Sequence, residues 1–126
     1  MPVYENRGSY LFVETSEPYS LDLLPSMVQG IADRCQKENL RKVIVDLTQM
    51  EGNPSILDRY TIGAEVARIC GARIECAAIV KRSLINQMVE NVAVNRGAKL
   101  RVVPTLDEAM EWLKLETSPT SMKSSG

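Results

Sequence analysis

The sequence predicts an α/β fold, a single mixed and mostly parallel sheet of four to five strands with about four helices. Three observations carry that prediction. Short apolar runs, KVIVDLT, IECAAIV and KLRVV, recur along the chain, and continuous rather than alternating hydrophobicity marks strands covered on both faces. Stretches of helical periodicity separate these runs, each long enough to serve as a crossover. Glycines, prolines and Ser/Thr-acid pairs punctuate the junctions. Alternation of this kind calls for parallel strands joined by right-handed crossovers.

In chain order, residues 3–13 place an Asn-Arg-Gly turn between two β-prone stretches, the mark of a hairpin or of one strand with a short antiparallel partner. Leu24, Met27, Val28, Ile31 and Cys35 then fall at helical spacing over 24–38, with Pro25 tolerable only in the first turn. The run 42–48 is the candidate for the centre of the sheet. After the punctuated loop Met50-Glu51-Gly52-Asn53-Pro54, Ser55 with Asp58 makes a capping box that uses the shorter acid. The second helix starts there, with Leu57, Tyr60, Ala64, Ala67 and Ile69 as its expected buried face and Gly71 as its left-handed stop. Strand 74–80 follows. A third helix carries Leu84, Ile85, Met88, Val89 and Val92 and ends at Gly97, and strand 99–103 comes next. Thr105 to Glu108 caps a fourth helix, whose expected inner stripe is Leu106, Ala109, Met110 and Leu113, with Trp112 beside it. The expected domain therefore spans 1–115. The Ser/Thr-rich end 116–126 has nothing to bury and is expected to be disordered.

Composition narrows the function. The chain has 126 residues, 44% hydrophobic and 25% charged, which suits one domain with a core of its own. Fifteen basic against sixteen acidic residues give a formal charge of −1, so the broad positive field used in non-specific nucleic-acid or anionic-membrane binding is missing. There is no histidine, which excludes Ser/His and Cys/His nucleophile pairs, His-ligated zinc or haem, and imidazole acid/base chemistry. Cys35, Cys70 and Cys76 are an odd, widely spaced set without C-x-x-C. They suggest neither a disulfide framework nor a zinc knuckle, and a reducing cytoplasm suits them. No leader-like apolar segment or membrane-length run is visible. Neither common Gly-rich phosphate loop occurs, and no cofactor is implied.

Candidate functional residues gather where the first buried strand gives way to the second helix. The loop 52–55 leads into a helix N-terminus, where free N–H groups and the dipole favour an anion or a phosphorylated hydroxyl. Open α/β sheets place ligands at that end. Ser55 is also explained as a plain N-cap. Asp46 sits in VIVDLT, where a carboxylate must find donors. It either binds nearby loop N–H groups or acts as an acceptor of the receiver type, with Lys81 at the end of the next strand as the neutralising cation. A receiver needs an acidic pair after its first strand, and Glu14-Thr15-Ser16-Glu17 does not supply one.

The stretch KVIVDLTQMEGNPSILDRYTIGAEVARI, together with the closing LDEAMEWL helix, resembles the STAS family of sulfate-transporter and anti-sigma-factor-antagonist domains, in its divergent bacterial STAS-like form. The resemblance covers about residues 3–113. Asp46-Leu47-Thr48 matches the strand end of that family, and Ser55 falls where its phosphoacceptor lies. Pro54 stands in place of the family's Asp, and Ile56 where a second Ser or Gly is usual. The resemblance implies a non-enzymatic regulatory or scaffold domain that acts through protein–protein interaction, with residues 53–60 as the docking surface and Ser55 as the switch. Asp46, Asn53, Ser55, Arg59, Tyr60 and Lys81 are then the candidate partner- or ligand-binding residues. The expected partner is another protein, or a second copy of the chain as a homodimer, with no nucleic acid and no membrane. The alternative is a small-anion or small-ligand binder, or an enzyme with a carboxylate-based site at the strand C-termini.

Overall fold

Five strands lie side by side in chain order, as a computed structural model describing residues 2–115 shows. Strand β1 (Val3–Asn6) pairs antiparallel with β2 (Leu11–Glu14), and β3 (Lys42–Asp46), β4 (Glu75–Ile79) and β5 (Lys99–Val103) continue the sheet in parallel. The helices are α1 (Leu23–Glu38), α2 (Ile56–Cys70), α3 (Met88–Asn95) and α4 (Leu106–Trp112). The expected class, a mixed and mostly parallel sheet with four helices and an antiparallel N-terminal edge, is the one observed. β3 is the middle strand. The tail expected to be disordered, 116–126, lies outside the described residues.

The continuous apolar strands are explained by cover on both faces. Register aligns Leu11, Val43, Cys76 and Leu100 in one row across four strands, and this face packs on α1 and α2 with help from α3. One residue along, Phe12, Ile44 and Ala77 form a row on the opposite face, where Ala109 and Met110 of α4 and Leu113 at its C-cap close it. Lys42 Nζ donates to the Leu113 carbonyl at 2.6 Å, tying the end of α4 to the start of the central strand.

Three helices differ from their expected form. In α2 the buried stripe is Ile62, Gly63, Val66, Ile69 and Cys70, whereas Leu57 and Tyr60 point to solvent. At 3.6 residues per turn those two lie opposite Ile62 and Val66. The helix has two apolar stripes, and only one reaches the sheet. The inner stripe meets α3 so closely that a Cβ on Gly63 would lie 2.8 Å from both the Val89 carbonyl and Val92 Cβ. The third helix starts late. Residues 82–84 form a 3-10 turn, Ile85 is extended, and Asn86 Oδ1 accepts from the Met88 N–H at 2.8 Å. This local side-chain turn competes with an earlier helical start. In α4, Leu106 is 42% exposed rather than part of the inner stripe, and Leu113 at 1% anchors it.

Candidate functional site

The crossover from β3 to α2 is held by its own polar groups. Asp46 Oδ1 accepts from the Thr48 N–H at 2.9 Å and from the Thr48 hydroxyl at 2.6 Å, which turns the chain at the strand end. Leu47 N–H donates to the Ile79 carbonyl at 2.8 Å. Ser55 is the N-cap of α2, its hydroxyl accepting from the Asp58 N–H at 3.1 Å. Arg59 reaches back over the loop, donating from Nε to the Pro54 carbonyl at 3.1 Å and from Nη2 to Asn53 Oδ1 at 2.5 Å. The segment before α1 closes the other side, with Tyr19 N–H donating to the Glu51 carbonyl at 2.6 Å and Tyr19 Oη to Asp58 Oδ2 at 2.8 Å. Burial first, and then that bond to Asp58, push the Tyr19 hydroxyl up to about 12.

Beneath the loop lies a cavity of about 150 Å³, between the first face of the sheet and helices α1, α2 and α3. Val45, Ile62, Val66, Cys70, Cys76 and Leu100 are among the buried side chains that wall it. Its polar neighbours are Tyr19, Asn53, Arg59 and Asn86, all half-buried or exposed and so at the rim. The space opens to solvent at that rim. It is too small for a nucleotide, since ligand pockets for drug-sized molecules run to several hundred Å³.

The candidate residues divide into three groups. Asn53 and Arg59 meet at the rim. Ser55 is exposed and bonded to its own helix, and Tyr60, 45% exposed, receives a hydrogen bond from Arg96 Nη2 at the end of α3. Asp46 and Lys81 stand apart from both. Strand alternation puts Asp46 on the side of Ile44, facing α4, and among the described residues no ion pair joins it to Lys81. Sequence reasoning missed Tyr19, Asn86 and Arg96. Their only signal is long-range geometry, since each meets the site from a distant segment. It also buried Leu57, which is 78% exposed beside Ile56 at 72%.

The three cysteines are buried free thiols on the helix-covered face of the sheet, and among the described residues no group of His, Cys, Asp or Glu is placed to hold a metal. Burial raises all three thiols, Cys35 and Cys70 from the usual 9.0 to about 11 and Cys76 further. The folded state then keeps protons that the unfolded chain releases. The neutral thiols therefore contribute stability that is complete below pH 9.0 and is lost as pH rises to about 11. Urea midpoints are expected to fall across that window, and less steeply in Cys35→Ala/Cys70→Ala. An equal slope in that variant would show that other groups cause the loss.

No family model and no curated protein matches the sequence. Among solved structures, an anti-sigma factor antagonist from Mycobacterium paratuberculosis superposes with a TM-score of 0.60 over 90% of this chain and 93% of that one, at 16% identity. The fold is STAS-like. In this STAS-like domain the loop 47–55 and the start of α2 occupy the C-terminal end of the sheet. No helix among the described residues is long and apolar enough to cross a membrane.

Proposed function

We propose that this STAS-like domain is a non-enzymatic regulatory or scaffold module that docks another protein on residues 53–60. One observation carries the reading. Ile56 and Leu57, 72% and 78% exposed, stand side by side in the first turn of α2, with Tyr60 one turn on. Large aliphatic side chains gathered at a rigid helix end, next to the polar Asn53 and Arg59, have the make-up of an interface centre with its rim. The structural neighbour is named as an anti-sigma factor antagonist, which supports a regulatory role. Free buried thiols support a reducing compartment such as the cytoplasm.

Ser55 is the proposed switch. Its side chain is exposed at the helix cap, and a phosphate there would bring about −1.5 to −2 charges to the middle of the docking surface. A partner arginine would welcome that charge, and a partner carboxylate would reject it. Phosphopeptide mass spectrometry of chain isolated from its host reads the switch directly.

Affinity capture from the host, followed by identification of what is retained, tests the docking reading. The variant Ile56→Asp/Leu57→Asp is expected to lose the partner, with affinity falling at least about tenfold. It is expected to keep its stability, because acids in the first turn of a helix suit the dipole. Retention of the same partner by this variant would refute the surface.

A further inference from the structure

The cavity under the loop is a different feature from the docking stripe, because Ile56, Leu57 and Tyr60 do not line it. Its walls are aliphatic side chains and the two thiols Cys70 and Cys76. An apolar space of about 150 Å³ accepts a benzene-sized guest, so this one suits a ring or a chain of about six carbons. Among the described residues that line it, Arg59 is the one with a charged side chain. Arg59 is half-buried and is held by two neutral acceptors, the Pro54 carbonyl and Asn53 Oδ1. Among the described residues no carboxylate pairs with it, and the neighbouring acid Asp58 accepts from Tyr19 instead. Among the described residues no hydrogen bond engages its Nη1, and the side chain lines the space. A planar fork of N–H donors there matches a carboxylate.

We propose that the cavity binds a small apolar monocarboxylate, an aliphatic acid of about six carbons or an aromatic acid of benzoate size, tail inward and carboxylate on Arg59. The neutral rim amides of Asn53 and Asn86 bring no charge that would repel the anion. Binding needs neither Asp46 nor Lys81; it shares Asn53, Pro54 and Arg59 with the segment 53–60 but uses none of the docking side chains Ile56, Leu57 and Tyr60.

Titration of the full chain, with labelled Ile, Leu and Val methyls followed by NMR, tests the assignment with hexanoate, hexan-1-ol and hexylamine as probes. Hexanoate is expected to shift the Val45, Ile62 and Val66 methyls saturably, with a Kd of about 1 mM or below, and hexylamine to bind more weakly than either of the others. Arg59→Gln should weaken hexanoate about tenfold and leave hexan-1-ol unchanged. Val66→Phe, which fills the space, should abolish both, and Ala78→Leu on the sheet side of the cavity repeats that test should the first variant fail to fold. The proposal is overturned if hexanoate causes no saturable shift of the wall methyls up to about 10 mM. It is equally overturned if Arg59→Gln weakens acid and alcohol alike, or if the filled variants bind as the parent does.

Discussion

Truncating Ile44 to alanine is expected to lower the free energy of unfolding by about 2–5 kcal/mol, the range for deleting a large aliphatic side chain from a closed core. Ile44 is fully buried at the centre of the middle strand, on the face that α4 covers. Its neighbours Phe12 and Ala77 belong to strands hydrogen-bonded on both sides, so the backbone has little freedom to collapse into the space. Domains of this size have about 5–15 kcal/mol in all, and such a loss is easily read as a lower urea midpoint with an unchanged slope. A loss below about 1 kcal/mol would mean that α4 does not seal this face.

A second large effect is expected where a single methyl group is added. Gly→Ala within a helix ordinarily stabilises by about 1 kcal/mol. At Gly63 the sign should reverse, with a net cost of about 1–3 kcal/mol, because the new Cβ would meet the Val89 carbonyl and Val92 Cβ at 2.8 Å. Backbone and β-carbon atoms cannot swing away, so α3 must move as a whole. Gly30 provides the internal control. There the added Cβ would lie 2.5 Å from Tyr4 Oη, the far end of a side chain that can rotate aside, and Gly30→Ala should be close to neutral. Equal responses at the two sites in thermal or urea unfolding would refute the tight α2–α3 seam.

Much of this architecture could be read from local chemistry. KVIVD forms the middle strand because β-branched residues without alternation fit only a strand covered on both sides, and Ser55 and Thr105 cap their helices through the N–H groups of Asp58 and Glu108. Local signals failed where two answers were equally apolar. In α2 the stripe through Leu57 and Tyr60 is as oily as the one through Ile62 and Val66. Only the neighbouring α3, which Gly63 admits to close range, decides between them. The start of α3 was hidden because Leu84 and Ile85 continue its period while Asn86 holds a turn just before the later start. In the site, the pairing of Arg59 with Asn53 was within reach of a reading of adjacent residues. The separation of Asp46 from that pair follows from strand alternation, and the meeting of Tyr19 with Asp58 depends on the whole fold.

The seven-residue α4 is the last element described, and one face of the sheet depends on it. During synthesis, the strands bearing Phe12, Ile44, Ala77 and Ile79 leave the ribosome well before their cover does. Until Leu113 clears the exit tunnel, a nascent chain can align its strands but presents a bare greasy panel on one side. That window invites either a chaperone or another unfinished copy, and a premature stop shortly before residue 106 would make it permanent.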